Sequence, residues 1–211
     1  MLRHLKDSIT SSIKQNLVLY LAIIFTIITG ITSGSFTVGA MNEYQKAALD
    51  DFLKYSFVEE GPQALNNTRV FLLSTWQHLQ LIILIWLSGL FVVGIPFIFV
   101  LIGIRSFFIG FTISFLISSY SFGGLVFSLV CILPQTLLFI LSYIGIGIIA
   151  LESSINKFKT RRIKYSREQN IKVLLPYTSN IFILFLGIIV GSSLEAFIMP
   201  LFFSMFKWVF N

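Results

Sequence analysis

Residues 79–151 form an unbroken run of 73 positions in which Arg105 is the only charged side chain. A helix needs ~20 apolar residues to cross a hydrocarbon layer of ~30 Å, so this run is too long for two crossings and suits three with short turns. Inside lipid each backbone N–H and C=O must find its partner within the segment, which makes the crossings helical. The rest of the chain agrees: 56% of the 211 residues are hydrophobic and 11% are charged, with a mean hydropathy of +0.89. That leaves too little polar surface to clothe a soluble globule of this size. The expected fold class is all-α, a polytopic helical bundle embedded in a membrane.

The turns within this run are expected at Arg105 and in SSYSFGG, residues 118–124, where serines and paired glycines interrupt the apolar pattern. The crossings then occupy 79–102, 106–121 and 125–151, and Pro96 marks a kink or the start of a re-entrant feature. Upstream, 17–39 makes a first crossing. Arg3, Lys6 and Lys14 ahead of it resemble the head of a signal peptide, but no clear small-x-small cleavage pattern follows, so it is expected to stay as an anchor. Downstream, the apolar tract 173–206 would be about 51 Å long as one helix, more than a bilayer core. It is expected to break around Glu195 and Pro200, leaving a fifth crossing at 174–194 and an aromatic tail, 195–211, at the interface.

Five crossings place the termini on opposite sides, and the distribution of lysine and arginine selects the orientation. With the N-terminus cytoplasmic and the C-terminus extracytoplasmic, eleven of the 15 basic residues fall inside, and Lys46, Lys54, Arg69 and Lys207 fall outside. Seven of the eleven lie in the loop 155–172, among them Lys157, Lys159, Arg161, Arg162 and Lys164. That loop is a topology determinant with an attraction for anionic lipid. It carries no aromatic stacking pattern or binding module for nucleic acid. Residues 1–16 space Leu2, Leu5, Ile9 and Ile13 along one helix face, read either as an interfacial helix or as an extension of the first crossing.

The outer block 40–77 carries a stripe of Met41, Tyr44, Ala48, Phe52 and Tyr55, with Glu43, Asp50, Asp51, Glu59 and Glu60 on the opposite face and in the following loop. It reads as an amphipathic helix that lies on the membrane, on a partner, or on the protein's own crossings. Gly30 with Gly34, and Gly187 with Gly191, are small-xxx-small pairs that let helices approach closely, within one copy or between copies. Gly145 and Gly147 can act likewise. Glu195 is singled out among the apolar segments, as a carboxylate satisfied at a helix break or a functional group. His78, beside Trp76, reads as a marker of the outer interface rather than a metal ligand. Cys131 has no partner for an intramolecular disulfide. No nucleophile elbow, metalloprotease motif or phosphate-binding glycine loop is present, so neither an enzyme nor a cofactor is expected.

Several motifs together carry a resemblance over nearly the whole chain: Asn66-Asn67 with Arg69 in ALNNTRVFLLSTW, Gly94-Ile95-Pro96, Pro134-Gln135 in ILPQTLLFILSYIGIGIIALE, and Glu195-Ala196-Phe197 in GSSLEAFIMP. The chain resembles the stage II sporulation protein M family of endospore-forming bacteria. It departs from many wider relatives in carrying ILPQ where they have a His-Gly pair. The resemblance implies a non-catalytic scaffold at the sporulation septum and engulfing mother-cell membrane. Its partners would be peptidoglycan hydrolases, a lytic transglycosylase and an amidase/endopeptidase; residues 40–77, with Asp50, Asp51, Glu59, Glu60, Asn66, Asn67 and Arg69, and the tail after Glu195 are expected to meet them, because those segments face the wall in the predicted topology. A small-solute or ion transporter is the alternative, motivated by Pro96, Pro134 and Glu195.

Overall fold

The structure, a computed structural model, describes residues 16–54, 67–159 and 167–197. Six α-helices and one π-helical turn make up nearly all of it: α1 (Leu17–Ala40), α2 (Glu43–Lys54), α3 (Asn67–Leu90), α4 (Gly94–Phe127), the π turn Ser128–Ile132, α5 (Leu133–Lys159) and α6 (Arg167–Phe197). Four stretches are long and apolar enough to cross a membrane: Leu17–Ala40, Asn67–Leu90, Gly94–Lys159 and Leu174–Phe197. The third is 66 residues long and folds back on itself. Ser121 takes φ 50° and ψ −125°, the only positive φ among the described non-glycine residues, and Gly124 comes to rest against the carbonyl of Leu116. The reversal makes two antiparallel arms. A Cβ at Gly124 would occupy the space of that carbonyl, so glycine is required where the two backbones part.

The bundle therefore has a hairpin end and an opposite end. The core between them is aliphatic: Ile23, Ile85, Ile98, Ile146, Leu151 and Ile188 are fully buried. Its outer surface is equally apolar, with Val18 77%, Phe36 79% and Leu141 66% exposed, a composition that only lipid would cover. Glycines set the closest contacts, because no hydrophobic drive pulls helices together in lipid and close packing must do so. A Cβ on Gly30 would stand 2.7 Å from the Gly103 carbonyl and 2.7 Å from Ser106 Cβ. One on Gly34 would meet the Phe107 carbonyl, and one on Gly110 the Ile31 carbonyl. α1 and α4 thus lie backbone to backbone, and Ser35 Oγ donates to the Gly110 carbonyl at 3.3 Å. Gly191 packs against the ring of Phe139, and Gly187 faces Ser142 Oγ, both on α5.

Several boundaries differ from those expected. The crossing expected at 79–102 is absent as such, since α3 runs Asn67–Leu90 and the chain turns at 91–93. Arg105 marks no turn; it sits inside α4, and the 106–121 segment is the later part of a helix that starts at Gly94. The physical reason is that Phe91-Val92-Val93 turns without polar residues of its own. Its carbonyls are capped from α5 instead: Ser154 Oγ donates to Phe91 O at 2.7 Å and Lys157 Nζ to Leu90 O at 3.0 Å. Pro96 falls in the first turn of α4, where a missing N–H costs nothing, and it makes neither a kink nor a re-entrant feature.

Pro134 acts just upstream of itself. Its ring would press on the carbonyl four residues before, and the preceding turn widens to a π-helix in which Leu133 N–H bonds Ser128 O. α5 continues past residue 151 to Lys159, so Lys157 and Lys159 are helical. α6 passes through Glu195 to Phe197 without a break there. Residues 1–15, Glu59, Glu60, Asn66, Arg161, Arg162, Lys164 and Pro200 lie outside the described residues.

Candidate functional site

α3 buries one stripe, Ser74, His78, Ile82, Ile85 and Gly89, at spacings of three and four. Two of the five are polar. Ser74 and His78 face a half-buried Arg105 from α4, Tyr143 from α5, and Ser192 and Glu195 from α6. His78 Nδ1 lies 2.5 Å from Tyr143 Oη, and its Nε2 lies 3.4 Å from Arg105 Nη2. The ring lies against Phe139 with centroids 4.0 Å apart and the planes tilted by 36°. A guanidinium only donates, so Nε2 accepts and the imidazole carries its proton on Nδ1, which donates to the tyrosine oxygen. Ser74 Oγ donates to Glu195 Oε2 at 2.5 Å and stands 3.2 Å from Ser192 Oγ. These six side chains from four helices form one polar zone in an otherwise apolar bundle.

The zone lies deep. His78 is near the middle of the 24-residue α3, and Arg105 lies eleven residues into α4, about 16 Å from its start at ~1.5 Å per residue. A charged side chain there costs ~2.5–3.5 kcal/mol by insertion scales, so it needs compensation. Among the described residues no carboxylate pairs directly with Arg105, and its Nε has no hydrogen-bond partner. Glu195 sits in the last turn of α6, where the helix dipole disfavours an anion, and Ser74 offsets part of that cost. Between the two ions lies a cavity of about 200 Å³ lined by Arg105, Phe108, Ile109, Thr112, Ile132, Gln135, Thr136, Phe139 and Glu195. Gln135 and Thr136 are buried and supply amide and hydroxyl groups. The set can bind a polar or charged ligand. Among the described residues no three His, Cys, Asp or Glu gather as they would for a metal ion.

Of the residues considered in the sequence, Glu195 belongs to this zone, and so, against expectation, do His78 and Arg105. The others lie elsewhere. Asp50 accepts from Tyr120 Oη at 2.5 Å at the hairpin end, and Asp51 is exposed nearby. Asn67 and Arg69 are exposed on the first turn of α3, Lys157 caps the 91–93 turn, and Lys159 is exposed. Pro96 and Pro134 are both exposed. His78, expected at the interface because Trp76 precedes it, is 3% exposed and central. Arg105 was taken for a turn. Two signals could have found them: the Ser74–His78 spacing of four in register with Ile82 and Ile85, and a lone cation in a long apolar run.

Fold and site together define a polytopic helical membrane protein with a buried polar chamber. The model of the stage II sporulation protein M family matches residues 21–200, and the chain belongs to that family. No curated protein and no solved structure matches it. It is a sporulation-related membrane protein of a family not known for enzymes, and membership lends no support to the transporter alternative.

Proposed function

We propose that this protein is a non-catalytic scaffold that holds peptidoglycan hydrolases, a lytic transglycosylase and an amidase/endopeptidase, at the septal membrane while the mother cell engulfs the forespore. The orientation follows from charge. With Arg105 inside the bundle, ten of the other fourteen basic residues lie in the sequence before Leu17 or within 157–172, and the remaining four lie within 41–69 or after Phe197; the helix ends at Leu17 and Lys159 are opposite the hairpin. That end is therefore cytoplasmic and the hairpin end faces the wall.

The observation that carries the docking reading is α2. Asn42 and Gln45 cap it reciprocally, Asn42 N–H to Gln45 Oε1 at 3.0 Å and Gln45 N–H to Asn42 Oδ1 at 2.8 Å. Asp50 fastens it to the hairpin through Tyr120. Held in this way, α2 keeps its apolar stripe off the bundle: Tyr44 is 83% and Phe52 63% exposed, with Glu43 and Asp51 exposed alongside. A fixed helix that presents aromatic anchors and carboxylates on the wall side suits a protein partner. Replacing Tyr44 and Phe52 by serine is expected to cut recovery of the hydrolases with the tagged protein about tenfold or more, since a buried aromatic anchor contributes ~2 kcal/mol. Abundance of the scaffold should not change, because both side chains are exposed. Undiminished recovery would rule out α2 as the contact.

A further inference from the structure

We propose that the chamber between Arg105 and Glu195 binds a zwitterionic headgroup, with a phosphate or carboxylate on the guanidinium and a primary ammonium on the carboxylate. Three observations carry this beyond the scaffold role. First, Arg105 is a deep cation whose Nε has no acceptor and whose guanidinium meets His78 Nε2 at 3.4 Å and the Tyr143 hydroxyl but, among the described residues, no paired carboxylate, so an oxyanion is the missing partner. Second, Glu195 lines the same cavity and spends one oxygen on Ser74, which leaves the other for an N–H donor; a pure anion would be repelled there. Third, about 200 Å³ is far more than one bridging water needs, ~10–15 Å³.

The cavity mouth identifies the source. Phe108 is 55% exposed and Thr112 is exposed, both on the lipid-facing side of α4, so the chamber opens sideways into the bilayer. Thr112 lies nine residues before the reversal at Ser121, about 13 Å along the helix, so the mouth sits on the hairpin side of Arg105 and a lipid headgroup drawn in from that interface can enter there. An ethanolamine phospholipid offers both charges and three N–H donors, whereas a choline headgroup offers no N–H to Glu195 and a glycerol headgroup offers no cation.

The full-length protein, purified and placed in nanodiscs, tests this by lipid retention in native mass spectrometry. The probes are phosphatidylethanolamine, phosphatidylcholine and phosphatidylglycerol, with soluble phosphoethanolamine and inorganic phosphate as competitors. Retention of the ethanolamine lipid is expected to exceed the other two at least tenfold. It should fall to their level in Arg105→Met and in Glu195→Gln, and also in Thr112→Trp, which fills the mouth from an exposed position that folding tolerates. Tight binding of soluble phosphoethanolamine with no lipid preference would keep the zwitterion chemistry and move its source to solution. Equal retention of all three lipids without phosphoethanolamine binding would overturn the proposal, as would a preference for the glycerol lipid. A preference that survives all three substitutions would overturn it too.

Discussion

Gly34→Leu is expected to abolish accumulation of the folded protein in the membrane, whereas Gly39→Ala, five residues along the same helix, is expected to leave it intact. At Gly34 the added atoms meet the Phe107 carbonyl and stand 2.8 Å from the Phe111 amide, both backbone and neither able to turn aside. α1 must then lift off α4, and with it the buried contacts of Ile23, Ile27 and Val38. Overpacking at one core site costs ~1–3 kcal/mol, and here the displaced unit is a whole helix, so the loss should exceed that range. At Gly39 nothing lies within 4 Å. Alanine there should be neutral or stabilise by ~0.5–1 kcal/mol through helix propensity. Membrane-fraction immunoblots and thermal unfolding in detergent measure both. Equal behaviour of the two variants would show that the close α1–α4 approach is not what holds the bundle.

Arg105→Met is expected to leave the protein as stable as before, or more so, and to stop engulfment. Two terms decide the sign. Removing a guanidinium from mid-bilayer depth returns ~2.5–3.5 kcal/mol. Leaving His78 Nε2 without its donor costs ~1–3 kcal/mol. The sum falls between about −0.5 and +2.5 kcal/mol in favour of the variant, whereas a structural pin would give a clear loss. A side chain that costs stability where it stands points to a functional role. Thermal unfolding paired with imaging of sporulating cells checks both halves. A loss of more than about 3 kcal/mol would make Arg105 a structural pin, and normal engulfment would leave it without a role.

Arg105 also shows where the sequence could and could not be read. The crossing helices were legible wherever length and apolarity alone decide, as in α1 and in the reversal at SSYSFGG, where Ser121 and Gly124 carry local backbone signals. The 91–93 turn was not legible. It is written in valine and phenylalanine, and its capping groups, Ser154 and Lys157, come from a helix more than sixty residues away. Without a local signal for that turn, the only charge in the run is the nearest candidate for one, and a turn at Arg105 puts His78 at an interface. The candidate chamber is assembled from four helices, so no single segment announces it; Glu195 alone stood out, because its apolar neighbours made it conspicuous. The outer helix was legible as amphipathic from its stripe. Which way that stripe faces depends on the Asp50–Tyr120 bond, a contact between residues 70 apart.

Everything proposed for the wall side and for the chamber depends on residues 94–159 crossing twice, with the reversal at Ser121 outside and α5 returning to the cytoplasm. Single cysteines at Ser121 and at Asn156, in a background where Cys131 is replaced by alanine, test it with a membrane-impermeant maleimide on intact cells. The account predicts that the cysteine at 121 is labelled from outside, while the one at 156 is labelled only after the membrane is opened. Labelling of both positions from the same side would contradict it.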